Sequence, residues 1–156
     1  MQGYSMMPLI NGTKTEIRQY AFGEHNWHIF MGYERVVITK DHALIKNWLP
    51  DLPNSSVVET MFMPAYQKMY EMWKEGKLAK QYTDCFIAPR SSEEIFDIKK
   101  DIHCMNNQIN NKKLKSTINT LNTALETWQE STGDAFPGRE KLKQDTANRQ
   151  TGAPLK

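Results

Sequence analysis

Residues 35–53 leave this chain few folding options. Arg35-Val36-Val37-Ile38-Thr39 is a β-branched run, Lys40-Asp41-His42 reads as a turn, and Ala43-Leu44-Ile45-Lys46-Asn47-Trp48 runs back. β-Branched side chains suit a pleated, half-buried surface, and two such runs joined by a short polar link predict a hairpin. Pro50 and Pro53 stop the second strand, because proline has no N–H to donate to a ladder. A hairpin is marginal alone, so its apolar face needs a cover.

The cover is legible further on. Leu114, Ile118, Leu121, Leu125 and Trp128 fall four, three, four and three residues apart, with Lys, Asn, Thr and Glu between them. That spacing predicts an amphipathic helix, stopped by Thr132-Gly133-Asp134. Glu94-Ile95-Phe96-Asp97-Ile98 predicts a further short strand. Pro64, Tyr66, Met69 and Trp73 predict a helix with Gly76 just past its end, and Leu78–Phe86 a second short one. Residues 16–22 predict a strand ended by Gly23 and separate from the hairpin's sheet. The first fifteen residues read as a connector that Pro8, Asn11 and Gly12 keep from being helical. The expected fold is α+β: a small antiparallel sheet packed against the long C-terminal amphipathic helix. Beyond Phe136 the chain reads as an extended arm.

Composition narrows the function. With 156 residues, 39% hydrophobic, the chain builds one ordinary domain. A net charge of +2, with basic and acidic residues interleaved, gives no nucleic-acid footprint. No apolar run approaches the ~20 residues that span a bilayer, and Met1–Ser5 shows no targeting signal. Cys85 and Cys104 form no Cys-x-x-Cys pair and read as two thiols.

The chemistry-bearing residues cluster at Glu24-His25-Asn26-Trp27-His28. A carboxylate beside imidazoles can move protons, hold an anionic sugar or ligate a metal; with no third ligand nearby, the His-x-x-His spacing alone does not make a metal site. The plain alternative is a polar loop with inert, hydrogen-bonded histidines. Trp27, in the loop, is the indole free to meet a ligand, whereas Trp73 and Trp128 fall on apolar helix faces. Arg35 suits either a bidentate clamp on sulfate or carboxylate, or an ion pair with Glu34 or Glu24. Cys85-Phe86-Ile87-Ala88-Pro89-Arg90 lacks the Cys/Ser-x-Pro-Ser-Arg spacing of a sulfatase nucleophile.

Several blocks together resemble the C-terminal region of sulfatases, in the branch of the heparan N-sulfatases (N-sulfoglucosamine sulfohydrolases). They are Gly3–Gly12, Tyr20–His28, Glu34–Lys40, Asn47–Pro53, Ala88-Pro89-Arg90 with Glu93–Asp97, Asp101 with Asn106-Asn107, Trp128–Pro137 and Arg149–Gly152. Ile38 stands where that family has a second arginine, and Ile102 where it has proline.

The resemblance implies the tail of an alkaline-phosphatase-like hydrolase. Residues 1–32 would end its large domain, including the strand left over from it, 33–134 would be the C-terminal subdomain, and 135–156 an extended arm. It implies a sulfated carbohydrate as substrate, of heparan type, and a periplasmic or secreted whole enzyme. Calcium and a formylglycine nucleophile would belong to the upstream domain, so no catalytic residue and no metal ligand is expected in this chain. Glu24, His25, His28, Arg35 and Trp27 would face the sugar. A homodimer could form through the exposed docking face. The competing reading is a free-standing carbohydrate-binding or dimerisation module.

Overall fold

The computed structural model describes residues 3–55 and 58–155; the outermost residues of the expected connector and arm lie outside these. The hairpin is the centre of a four-stranded antiparallel sheet. Its strands, in spatial order, are β1 (Ala21–His25), β2 (Glu34–Ile38), β3 (His42–Asn47) and β4 (Glu93–Asp97). Thr39 closes the central turn, its Oγ1 accepting the His42 N–H at 3.0 Å. The register Phe22↔Val37↔Leu44↔Ile95 gathers apolar side chains into one row.

Helix α4 (Lys115–Thr132) lies on that row, as the periodicity predicts. Leu121 and Leu125 pack with Val37, Leu44 and Ile95 in one core, each buried leucine contributing about 2 kcal/mol. Trp128 stacks on Phe22 with ring centroids 5.2 Å apart. The α+β arrangement, with the long helix covering one face of the sheet, is therefore present.

Several local expectations need correcting. The sequence places a separate strand at 16–22, whereas the structure places it at Ala21–His25 as the edge strand of the same sheet. Gly23 sits inside this strand rather than ending it: a Cβ there would lie 3.0 Å from Val36 Cγ1, and its absence lets β1 lie against β2. Leu78–Phe86 forms only a 3-10 turn at Lys80–Tyr82, and Asn54 Nδ2 donates to Asp84 Oδ2 at 2.8 Å just beyond it. The connector contains one helical turn, α1 (Met7–Ile10), with Pro8 in its first turn.

A second core lies beside the sheet. Helices α2 (Val58–Met61) and α3 (Pro64–Lys74) bury Met61 and Tyr66 against Phe30, Phe86 and Ala147. Trp73 stacks on Phe86 at 5.3 Å, so both Trp73 and Trp128 are packing residues. The C-terminal arm wraps: Phe136 packs on Tyr33 at 5.0 Å, and the Thr146 N–H donates to the Ile29 carbonyl at 3.1 Å. The arm thus braces the loop between β1 and β2. No helix among the described residues is long and apolar enough to cross a membrane.

Candidate functional site

The loop leaving β1 divides the expected site residues between two grooves. His25 and His28 line a small cleft of ≈ 50 Å³ together with Glu34, Arg90 and Arg149. Glu24, Trp27 and Arg35 line a groove of ≈ 450 Å³ on the other side. Gly32 lines both. A Cβ on Gly32 would lie 2.3 Å from the Asn26 carbonyl and 2.9 Å from the His25 ring, so only glycine lets the loop fold back this tightly.

In the smaller cleft His25 Nδ1 lies 3.1 Å from Glu34 Oε2. The other Glu34 oxygen accepts from Arg90 Nη2, and Arg90 Nε donates to the Leu52 carbonyl at 3.1 Å. Burial by itself would raise the Glu34 carboxyl, but hydrogen bonds from His25 and Arg90 and the Arg90 charge outweigh it and hold it at about 2. Glu34 is therefore an acceptor at neutral pH, which makes Nδ1 the donor on His25. Nε2 is left as an acceptor on the neutral ring and a donor on the imidazolium. The His25 side chain is 55% exposed, so this second nitrogen is within reach of a ligand. His28 is exposed at the same cleft.

Arg149 closes the floor. It donates from Nε to Asp145 Oδ2 at 2.6 Å and from Nη1 to the Pro53 carbonyl at 3.1 Å. Asp145 Oδ1 accepts the Met31 N–H at 2.7 Å. Arm, loop and the chain after β3 are thereby held together.

Arg35 resolves towards the structural ion pair, with a partner the sequence does not suggest. Its Nε and Nη2 donate to the two oxygens of Asp134 at 2.6 and 2.7 Å. Nη1 donates to Asn26 Oδ1 at 3.0 Å and to the Glu34 carbonyl at 2.8 Å. The guanidinium lies 3.8 Å over the Tyr33 ring, and its side chain is 1% exposed. As a clamp on substrate Arg35 is thus corrected: its hydrogen-bonding capacity is spent inside the protein. Glu24, 3.8 Å from Nη2, keeps an exposed carboxylate.

Trp27 is 37% exposed. Its indole N–H donates to the Gln144 carbonyl at 3.0 Å, and Lys143 Nζ lies 4.6 Å from its ring centroid.

Sequence reasoning misses Arg90, Arg149 and Asp134 as parts of this site, and names Glu34 only as an ion-pair partner for Arg35. Arg90, Asp134 and Arg149 each sit in a block that carries the sulfatase resemblance, which was the available signal. Their partners lie 56 to 99 residues away for Arg90–Glu34 and Asp134–Arg35, beyond any spacing rule.

No family model matches this sequence, and no curated protein matches it. Solved structures do. A putative sulfatase from Bacteroides thetaiotaomicron is similar over 99% of this chain and 26% of its own, at 14% identity and a TM-score of 0.56. A 2-O GAG sulfatase is similar over 99% of this chain and 26% of its own, at 15% identity and a TM-score of 0.55. A third structure, solved with its substrate D-glucosamine-2-N,6-O-disulfate, is similar over 90% of this chain and 22% of its own, at 16% identity and a TM-score of 0.54. At this identity the likeness is one of fold: the chain shares an α+β fold with part of these structures and spans about a quarter of their length.

Proposed function

We propose that this chain is the C-terminal part of a sulfatase that removes sulfate from a sulfated sugar, of heparan type, and that it shapes the substrate cleft. The observation that carries this reading is the half-exposed His25 side chain, held by Glu34, which Arg90 holds in turn, on a fold shared with sulfatases. The disulfated glucosamine bound by one structure of similar fold supports the choice of sugar. The heparan N-sulfatase branch rests on the sequence blocks alone. His25 and His28 bind and orient; Glu34 holds the His25 tautomer. The whole enzyme would be periplasmic or secreted.

Bond breaking belongs elsewhere. Cys85 is followed by Phe-Ile-Ala-Pro-Arg, which lacks the Cys/Ser-x-Pro-Ser-Arg pattern of a formylglycine precursor. Among the described residues no group of three or more His, Cys, Asp or Glu side chains is arranged to hold a metal ion. The sequence resemblance alone assigns calcium and formylglycine to an upstream domain.

The sheet supports a docked partner. Antiparallel sheets covered on one face usually show polar residues on the other. Here the face away from α4 mixes the apolar Ala21, Val36, Ile38, Ala43, Ile45 and Phe96 with the polar His25, Glu34, Asn47 and Glu94; Ile38 is 37% exposed, whereas Ala43 and Phe96 are buried. This is the face we assign to the large domain; left uncovered, it would support a homodimer or the alternative, free-standing binding module.

Two measurements test the reading. Co-expression with the protein encoded immediately upstream, if that carries Cys/Ser-x-Pro-Ser-Arg, should give a complex that desulfates a sulfated glucosamine. The purified chain alone should not turn over a chromogenic aryl sulfate. Turnover by the chain alone, or failure of the two to associate, would overturn it.

A further inference from the structure

Asn47 carries a hydrogen-bonding group that the fold leaves unused. It stands opposite Glu34 in the β2–β3 register, and Glu34 stands opposite His25 in β1–β2, so the three form one row across the sheet. Asn47 is 4% exposed. Its Oδ1 accepts the Leu49 N–H at 2.9 Å, which fixes the orientation of the amide. Among the described residues its Nδ2 is buried without a hydrogen-bond partner, and so is Ser55 Oγ. Both residues line the His25 cleft. A buried donor without a partner is destabilising, and an acceptor entering the cleft removes that cost.

The acceptor that fits is neutral. The two guanidinium groups of the cleft are each matched to a carboxylate, Arg90 to Glu34 and Arg149 to Asp145. An anionic oxygen would shed its water there without meeting an unmatched guanidinium. Apolar residues form much of the remaining lining: Ile29, Phe30, Leu49, Leu52 and Pro53. At about 10–15 Å³ per water-sized atom, ≈ 50 Å³ takes a group of about three to five heavy atoms. A short group with a carbonyl oxygen at one side and a methyl at the other matches donors, walls and volume together.

We propose that the His25 cleft receives the acetamido group of an N-acetylated amino sugar, and that Asn47 determines this specificity. The acetamido carbonyl oxygen accepts from Asn47 Nδ2, with Ser55 Oγ as a second donor, and the methyl lies against the apolar wall. A neutral acyl group on the sugar nitrogen is thereby favoured over a sulfate on that nitrogen. The inference rests on the sulfated-sugar reading above for the choice of an amino sugar, and deepens it. The unit held here carries no N-sulfate, so a sulfate removed from it is an ester.

The test uses the full chain and follows the Asn47 side-chain amide protons by NMR. The probes are N-acetylglucosamine, N-sulfoglucosamine and N-methylacetamide. N-acetylglucosamine should move the Asn47 signal, and N-sulfoglucosamine should leave it in place. A shift with N-methylacetamide as well supports the acetamido site and shows that the sugar ring is not needed for it. Asn47→Asp should weaken N-acetylglucosamine binding about 10-fold, because aspartate keeps the contact to the Leu49 N–H and exchanges the unpaired donor for an acceptor. Ser55→Ala should weaken it in the same direction. If Asn47→Asp does not fold, the wild-type Asn47 signal and Ser55→Ala decide the matter. Undiminished binding by both variants, or an equal shift with N-sulfoglucosamine, overturns the inference and leaves the sulfatase reading standing. An Asn47 signal that N-acetylglucosamine does not move, with the co-expressed complex still active, also overturns this inference alone; if that complex is inactive too, both fall.

Discussion

Arg35 and Asp134 form a bidentate pair, Nε to Oδ2 at 2.6 Å and Nη2 to Oδ1 at 2.7 Å, that ties the second strand of the sheet to the residue just past the long helix. The guanidinium is sealed by Tyr33 below it and Asn26 beside it. It sets where the arm begins and how the β1–β2 loop leaves the sheet.

Breaking that pair from one side leaves a buried charge without its partner. Asp134→Ala should cost about 3–5 kcal/mol of stability, because the Arg35 guanidinium stays buried and uncompensated. Removing both, as Arg35→Leu with Asp134→Leu, should cost less than the two single changes together. Urea denaturation of the four proteins reads the coupling, and additive losses would show that the pair is not a unit.

Acid should expose the Glu34 contribution. Its folded pKa, about 2, lies below its ordinary 4.5, so the stability it adds is complete above pH 4.5 and is lost as pH falls towards 2. The difference corresponds to about 3 kcal/mol. Hydrogen bonding from Arg35 likewise lowers Asp134, with the same sign. Glu34→Gln should flatten the stability profile between about pH 4.5 and 2. A profile unchanged by the substitution would contradict the ion-pair assignment.

The thiols should react at different rates. Cys104 is exposed, whereas Cys85 is half-buried and its thiol is pushed up to about 11 by burial. In native protein at neutral pH a disulfide reagent should label Cys104 first and Cys85 only slowly. Equal rates would mean that the segment around the Lys80–Tyr82 turn opens freely.

In an active complex with its upstream partner, His25→Ala should raise KM more than it lowers kcat, because His25 binds the sugar and does not attack sulfur. Glu34→Gln should act in the same direction through the His25 ring. A loss confined to kcat would place His25 in the chemistry instead.

Much of this architecture was readable in advance. The hairpin at 35–48, the strand near 94–98, the helix from Pro64 and the long helix ending before Gly133 all follow from local rules: β-branched runs, apolar periodicity, and proline and glycine at element ends. Gly23 shows where such rules fail, since the same residue that stops an isolated strand allows close contact between two paired ones. The segment at 78–86, expected as a helix, forms only the turn at Lys80–Tyr82.

The primary structure by itself determined the hairpin, the last strand and the two longer helices, and that polar chemistry gathers at Glu24–His28. Only the three-dimensional packing decided that His25 is set by Glu34 and Arg90, that Arg35 is committed to Asp134, and that the loop faces two grooves rather than one. Local propensity acts over a few residues, while a buried charge takes whichever partner folding brings within hydrogen-bonding distance, here from 56 and 99 residues away along the chain.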